Sequence, residues 1–279
     1  MKRIAIDAMG GENAPKAIID AIIKVRPEMP DTKFILFGDK EKIRQTLPAD
    51  QINDQLEVVP TSQMINDEDE PVKAIRTKKD SSMVVAARYV KEGKADALFS
   101  MGNTGALLAC GIFIIGRIKG IARPGLMPTL PVQNSDKGYN LIDIGANAQT
   151  KPEYILQWAE MAAFYAEKIR GIVHPRVALL NNGAESDKGD SVHQEAYKLL
   201  QDSDLNFIGN IEGNELMTGK TDVAAMDGFS GNIALKSIEG MASVLLHSLK
   251  DSLLNNGLVT KLGALMIKNA VYDLKNKYD

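Results

Sequence analysis

Short apolar segments recur along the chain, and each ends in a glycine-containing or polar turn. The pattern is seen in IAIDAMGG, FILFGD, ALFSMGNTG, NLIDIGAN, VALLNNGAE, NFIGNIEG and DVAAMDGFSGN. Helical patterns lie between most of these segments. Because strands that alternate with helices pair in parallel through crossover connections, the pattern predicts an α/β fold, a three-layer sandwich with a mixed, mostly parallel sheet.

One stretch departs from this alternation. In TLPVQNSDKGYNLIDIG only a polar turn around Ser135–Gly138 joins two β-type segments, which leaves no room for a crossover helix. We therefore predict an antiparallel hairpin here, and this hairpin makes the sheet mixed. Helix starts are predicted at Asn13, at Ser81 or Ser82, and at Thr150, since these side chains are typical N-caps.

The last part of the chain has a different pattern. Apolar residues follow helical spacing from Ile238, the turn residues Asn255-Asn256-Gly257 interrupt them, and the spacing then continues. The sequence thus predicts an α/β domain over residues 1–236 and a helical hairpin over 237–279.

Charge and cysteine content exclude several classes. The net charge of −3 argues against a general nucleic-acid binder. Cys110 is the only cysteine and lies in an apolar run, so we expect it to pack in the core, and a reducing cytoplasm fits. The longest apolar stretch, residues 106–115, is shorter than the roughly 20 residues of a membrane span.

The glycine turns are candidate anion sites. The carboxyl ends of parallel strands share one edge, where exposed backbone N–H groups and helix N-termini attract anions. DAMGGENAP, with Gly10 and Gly11, lacks the third glycine of a dinucleotide-binding turn. This turn therefore either binds a phosphate or is a simple tight turn. In GNTG, Asn103 and Thr104 either contact an anion or cap the next helix.

A basic cluster precedes a predicted helix start in RTKKDSS, residues 76–82. Arg76 and Lys79 come just before Ser81 and Ser82, so side-chain charge and helix dipole attract the same ligand. A phosphate or an acidic protein surface fits this cluster, and a solvated run of charges is the plainer alternative.

Other candidate chemistry is weaker. Asp7, Asp143 and Asp227 each end a β-type segment. They can hold Mg²⁺ or cap the following turns, and we favour capping, so no metal or cofactor is predicted. The histidines, His174, His193 and His247, lie outside the glycine turns, which disfavours a histidine base or a histidine-bound zinc.

Taken in order, the motifs resemble one family, the acyl-acyl carrier protein:phosphate acyltransferases of bacterial phospholipid synthesis, known as PlsX. The resemblance rests on DAMGGENAPKA, EPVKAIRTKKDSS, SMGNTGALLACG, GRIKGIARP, TLP, LIDIGANAQTKPE, RVALLNNGAE, NFIGNIEG and DGFSGNIALK. It implies a fold like those of isocitrate and isopropylmalate dehydrogenases and phosphotransacetylases, with a hairpin used in homodimerisation. The implied reaction converts an acyl-carrier thioester and inorganic phosphate to acyl phosphate and free carrier.

This resemblance also implies roles for residues. Phosphate is already a nucleophile, so the protein must chiefly bind it and stabilise the developing oxyanion. We expect phosphate binding by Gly10, Gly11, Arg76, Lys79, Ser81 and Ser82. We expect contacts around the reacting carbonyl from Asn103, Thr104, Asn147, Asn181 and Asn232.

Two surfaces complete the expectation. The acidic carrier protein is expected to dock on Arg117, Lys119 and Arg123 of GRIKGIARP. An apolar hairpin tip is expected to contact the membrane surface, where the product passes to a membrane-bound glycerol-3-phosphate acyltransferase. The tip residues are Leu253, Leu254, Leu258 and Val259. The protein is thus expected in the cytoplasm, with peripheral membrane association as the further expectation.

Two alternatives stay open. A phosphate acetyl- or butyryltransferase that uses acyl-coenzyme A shares the nucleophile, and a non-catalytic membrane-associated scaffold needs only the hairpin. The family continues after the position of Tyr278 with a Gly-Gly stretch and a G-H-G-S-S segment, which the 279-residue sequence does not contain.

Overall fold

The computed structural model describes residues 1–133, 135–255 and 257–278. The chain forms two compact units, Met1–Gly120 and Ile121–Asp279. Each has its own sheet.

The first unit contains a four-stranded, wholly parallel sheet in the order β3-β2-β1-β4. Its strands are β1 (Lys2–Asp7), β2 (Thr32–Gly38), β3 (Leu56–Pro60) and β4 (Ala97–Phe99). Its α-helices are α1 (Lys16–Val25), α2 (Lys40–Thr46), α3 (Pro71–Thr77), α4 (Ser82–Lys91) and α5 (Thr104–Cys110), with one π-helical turn at Gly111–Ile115.

Helices cover both faces of this sheet. Ile6, Phe34 and Leu36 pack against α1 and α2 on one face. The alternate residues Ile35 and Phe37 face the other way, toward α4. Strand side chains alternate between faces, so the near-continuous apolar strands are buried on both sides and form the middle layer of a three-layer arrangement.

The second unit contains a five-stranded sheet in the order β5-β6-β9-β7-β8. Its strands are β5 (Thr129–Val132), β6 (Ser135–Ile142), β7 (Val177–Leu180), β8 (Phe207–Ile211) and β9 (Val223–Ala225). Its α-helices are α6 (Pro152–Lys168), α7 (Ser191–Gln201), α8 (Gly228–Asn255) and α9 (Gly257–Tyr278). Only β5 pairs antiparallel, with β6, in the strands described.

This sheet is also covered on both faces. Val177, Leu179 and Val223 pack against α6 and α7 around the fully buried Trp158. On the opposite face, strand residues contact Ile238, near the start of α8. The order of β6, β9 and β7 places the ends of these three strands side by side, and the candidate site of this unit lies at those ends.

The α/β class, the mostly parallel pairing and the antiparallel hairpin are confirmed. The strands described form two sheets, however, and not one. The helical hairpin starts earlier than predicted because α8 runs unbroken from Gly228. The boundary at residue 236 thus falls within a helix, and a separate 237–279 domain stays a prediction. Among the described residues, no helix is both long and apolar enough to cross a bilayer.

Candidate active site

In the second unit, Asp143 follows β6 and is completely buried. Its carboxylate accepts hydrogen bonds from the backbone N–H groups of Leu126, Gly145, Ala146 and Asn147, at 2.8–3.1 Å. The amide of Asn147 donates to it as well, at 2.9 Å. The DIGAN turn therefore surrounds its own carboxylate, and these N–H groups are not available to a bound anion.

Asp227 follows β9 and likewise accepts hydrogen bonds from the backbone of the turn after its strand. Its Oδ1 accepts from the N–H groups of Phe229 and Ser230, both at 2.9 Å, so the carboxylate caps the start of α8. The capping role favoured for Asp143 and Asp227 is thus confirmed. At both turns, the N–H groups that bind the aspartate are not available to a bound anion.

The first turn of α8 packs directly on the DIGAN turn. A Cβ added at Gly231 would lie 1.9 Å from the carbonyl oxygen of Asp143, so only glycine allows this approach. Asn232 follows on the exposed side, and its amide lies against Gly145. The DGFSGN motif thus fixes the backbone of one turn against the next and leaves the Asn232 amide at the surface.

The NNGAESDKGD loop after β7 is held by its own amides. Asn181 donates to the carbonyl of Lys188, and Asn182 accepts from the N–H of Gly189. Gly189 has a φ of 86° and lies between the side chains of Asn181 and His193. The Asn181 amide therefore shapes this loop, which closes at the first turn of α7.

His193 is the residue that sequence reasoning missed. It lies in the first turn of α7, its Nδ1 is 2.7 Å from Oδ1 of Asp190, and its Nε2 is 3.3 Å from Oδ2 of Asp227. Asp190 itself caps α7 by accepting from the backbone N–H of His193. The available signal was the D-x-x-H spacing, since a capping aspartate lies close to the third helix residue. Asp227 could be paired with it only from the sheet order.

These contacts shift the pKa values of all three groups. The contact with Asp227 raises the pKa of His193 most, and the contact with Asp190 raises it further. Burial of the ring opposes both effects. The hydrogen bonds from His193 lower the pKa of Asp190. Burial works against ionisation of Asp227, but His193 and the Ser230 hydrogen bonds hold its pKa well below the ordinary value. The cluster is therefore an imidazole between two carboxylates, and both carboxylates favour its protonated form.

In the first unit, the DAMGG turn packs against the GNTG turn. Ser100 donates to Asp7 at 2.7 Å and accepts from the N–H of Gly102 at 3.1 Å. A Cβ at Gly10 would lie 2.7 Å from that same N of Gly102. The first glycine is therefore needed for backbone packing. Gly10 and Gly11 also line a cavity of about 260 Å³ with Met101.

Asn103 caps α5 and secures a neighbouring loop. Its Oδ1 accepts from the N–H of Ala106, and its Nδ2 donates to the carbonyls of Asn66, Asp67 and Asp69. Thr104 is exposed at the first position of the helix. Among the predicted carbonyl-contacting residues, Thr104 and Asn232 are thus the exposed ones, while the amides of Asn103, Asn147 and Asn181 hold backbone in place.

The RTKKDSS residues divide into two groups. Arg76 and Lys79 are exposed. Ser81 and Ser82 are buried, and Ser81 precedes α4 without a side-chain capping bond. In the structure described, the Ser81 hydroxyl has no hydrogen-bond partner.

Cys110 is buried as expected, and burial raises the pKa of its thiol to about 12.

The predicted docking residues are on the surface but do not belong to one unit. Arg117 and Lys119 are exposed in the first unit and Arg123 is exposed in the second. At the predicted hairpin tip, Leu253 is half-buried. The side chains of Leu254, Leu258 and Val259 lie outside the described residues.

Comparison with known proteins identifies the family. A family model described as "Fatty acid synthesis protein" matches residues 2–279. The chain belongs to this family. A phosphate acyltransferase of Lactobacillus acidophilus is 73% identical over 279 residues, which cover all of this chain and 84% of that relative. A phosphate acyltransferase of Latilactobacillus sakei is 51% identical, over 99% of this chain and 82% of that relative. The family resemblance inferred from the motifs is confirmed, and it is a family of transferases.

Solved structures show the same fold at low identity. A phosphotransacetylase from Streptococcus pyogenes aligns with a TM-score of 0.62 at 18% identity, over 87% of this chain and 82% of that one. A branched-chain phosphotransacylase from Enterococcus faecalis aligns with a TM-score of 0.57 at 19% identity, over 86% and 84%. These likenesses support the fold class.

Proposed function

We propose that the protein transfers the acyl group of a fatty acyl-acyl carrier protein to inorganic phosphate. The observation that carries the proposal is the 73% identity, along the entire chain, to a relative named phosphate acyltransferase. In the reaction a phosphate oxygen attacks the thioester carbonyl, the C–S bond breaks, and the carrier thiolate leaves and takes up a proton. The products are acyl phosphate and free carrier, for use in phospholipid synthesis.

Exposed polar groups support a binding role for part of the predicted site. Arg76 and Lys79 are exposed cations, as phosphate binding requires. Thr104 and Asn232 are exposed hydrogen-bonding groups at the starts of α5 and α8. Within the first unit we assign phosphate binding to the two cations, and within the second unit we assign contact with a thioester carbonyl to Asn232. Asn103 holds a turn of the first unit, and Asn147 and Asn181 hold turns of the second.

A homodimer is part of the proposal, and α8 supports it. Met241, Val244 and Leu245 are about 60% exposed along this helix. Of these, Met241 and Leu245 line an apolar groove of about 620 Å³ together with Met217 and Ile238. Contiguous apolar surface of this kind typically marks an interaction site, and a second copy of the chain would cover it.

Membrane contact by the hairpin tip also stays a proposal, on the apolar sequence around residues 253–259. Flotation with anionic liposomes tests it. We expect the Leu254→Glu variant to remain with the soluble fraction, and undiminished flotation would refute the tip.

Product formation with matched donors tests the reaction. The purified protein is incubated with phosphate and either a palmitoyl-acyl carrier protein or palmitoyl-coenzyme A, and acyl phosphate is trapped with hydroxylamine while free thiol is measured. We expect at least tenfold more product from the carrier-protein donor. A preference for the coenzyme A donor would favour the acyl-coenzyme A enzyme instead, and no product from either donor would overturn both readings.

A further inference from the structure

His193 lies between the capping aspartates of two helices. Asp190 caps α7, Asp227 caps α8, and these helices follow β7 and β9, which are neighbours in the sheet. The ring contacts one carboxylate through each nitrogen, at 2.7 Å and 3.3 Å. One imidazole therefore links the starts of two helices at the same edge of the sheet.

Asp227 depends on this imidazole. Its Oδ2 is buried and, within the described structure, forms no well-oriented hydrogen bond. The ring of His193 lies 3.3 Å from this oxygen and balances its charge when protonated. The His193 side chain is itself only 13% exposed. Removing the imidazole would leave Oδ2 of this buried carboxylate without a neighbouring donor or positive charge, while Oδ1 would keep its two backbone N–H bonds, and this is costly unless the helix start moves toward water.

The contact between His193 and Asp227 also affects the backbone near Asn232. Asp227 holds the N–H groups of Phe229 and Ser230, and Asn232 follows within the first turns of α8. On its other side, His193 packs against Gly189, which closes the NNGAESDKGD loop. A shift of the imidazole would therefore move the α8 start relative to the loops after β6 and β7.

We propose that His193 is a positioning residue for acyl transfer, acting through Asp227 to hold the first turn of α8 and its Asn232 amide in the reactive arrangement. The inference rests on the proposed function. His193 contacts no reacting atom in this role. It provides a fixed position for a group that must lie within hydrogen-bond distance of the thioester carbonyl, where a displacement of about 1 Å can cost about 100-fold in rate.

The test compares steady-state kinetics of the intact protein with those of His193→Gln, using phosphate and a palmitoyl-carrier donor. Glutamine is polar and of similar length but cannot carry the charge or contact both carboxylates in the same way. We expect kcat to fall at least tenfold while KM for phosphate and for the donor change less than threefold. His174→Asn is the matched control, because His174 is exposed in the same unit and asparagine tolerates its φ of 48°. It should keep wild-type kcat.

A double-mutant cycle tests the route through Asp227. If His193 acts by way of that carboxylate, His193→Gln in an Asp227→Asn background should lower kcat less than threefold further. If the losses in kcat of the two single variants multiply in the double variant, the inference is overturned. A wild-type kcat in His193→Gln would also overturn it. Wild-type protein without activity would instead refute the proposed function, so the two failures are distinguishable.

A milder variant covers the case in which His193→Gln does not fold. Asp190→Asn keeps an N-cap residue on α7 and removes only the charge facing Nδ1. We expect a three- to tenfold fall in kcat with unchanged KM values and an unchanged circular dichroism spectrum. If Asp190→Asn folds and His193→Gln does not, a wild-type kcat in Asp190→Asn would overturn the inference.

Discussion

The Nε2 of His193 lies 3.3 Å from the Oδ2 of Asp227 and connects the first turn of α7 to the first turn of α8. The two residues are distant in the sequence and meet because β7 and β9 are adjacent parallel strands. Their helices start at the same edge of the sheet, where each is capped by an aspartate. We expect this contact to make the stability of the second unit depend on pH.

The pKa of His193 is raised in the folded protein, by Asp227 first and then Asp190. Its contribution to the free energy of unfolding is therefore complete below the ordinary histidine pKa of about 6.5, and is lost as pH rises through the raised value. The pKa of Asp227 is lowered, so its contribution is present above about 3.9 and is lost as pH falls through the lowered value.

We therefore expect the stability difference between wild type and His193→Gln to be largest near about pH 6 and to shrink toward about pH 9. Urea unfolding at both pH values measures it, with His174→Asn as the control that should follow wild type. A difference that grows as pH rises would contradict the assigned charge state.

The sequence predicts those features that depend on neighbouring residues. Alternating apolar segments and glycine turns predict the strands, and the short turn predicts the antiparallel pairing of β5 and β6. The helix caps at Asn13 and Thr150 are wrong, because α1 starts at Lys16 and α6 at Pro152, without a side-chain cap at either. Both helices carry proline beside the start, where its fixed backbone angle suits the helix and its missing N–H leaves one donor fewer to cap.

Features that depend on distant residues could not be predicted in the same way. The spacing of His193 and Asp227 in the sequence shows no relationship until the strand order is known. The amide of Asn103 has a helix-capping pattern in the sequence, but its bonds to the 66–69 loop require the tertiary structure. A sequence motif therefore predicts which residues surround the turns, while the hydrogen-bond partners decide which of them are available to a ligand.

Gly231→Ala is predicted to be strongly destabilising. The added Cβ would lie 1.9 Å from the carbonyl oxygen of Asp143, which is backbone and cannot rotate away. We expect a loss of about 3 kcal/mol in the free energy of unfolding, measured by urea denaturation. Gly240→Ala, in the same helix and with no atom within 4 Å of the new Cβ, should instead stabilise by about 0.5–1 kcal/mol. Equal effects at the two positions would contradict the close packing of α8 on the DIGAN turn.

Arg76→Ala is predicted to weaken phosphate binding. Arg76 is exposed at the end of α3, and a charge-assisted hydrogen bond contributes about 1.5–3 kcal/mol, so KM for phosphate should rise about tenfold or more. The KM for the acyl donor should change little. Lys73→Ala is the control, because Lys73 is exposed on the same helix and lies outside the basic cluster. An unchanged phosphate KM in Arg76→Ala would remove this residue from the phosphate site.

Docking of an acidic carrier protein is predicted to depend on ionic strength. The chain is net negative, so association requires local basic groups. Arg117 and Lys119 of the first unit and Arg123 of the second are exposed. Salt shortens the range of such attraction to about 8 Å at physiological ionic strength, so KM for the carrier donor should rise as salt is added.

Replacing these three cations with alanine should raise the donor KM about tenfold at low salt and flatten its salt dependence, because rim charges act mainly on association. Lys24→Ala, an exposed change in α1, should keep the wild-type salt dependence. Kinetics with palmitoyl-carrier donor at three salt concentrations measure both effects. If the triple variant retained the full salt dependence, the carrier would have to dock on another surface of the protein.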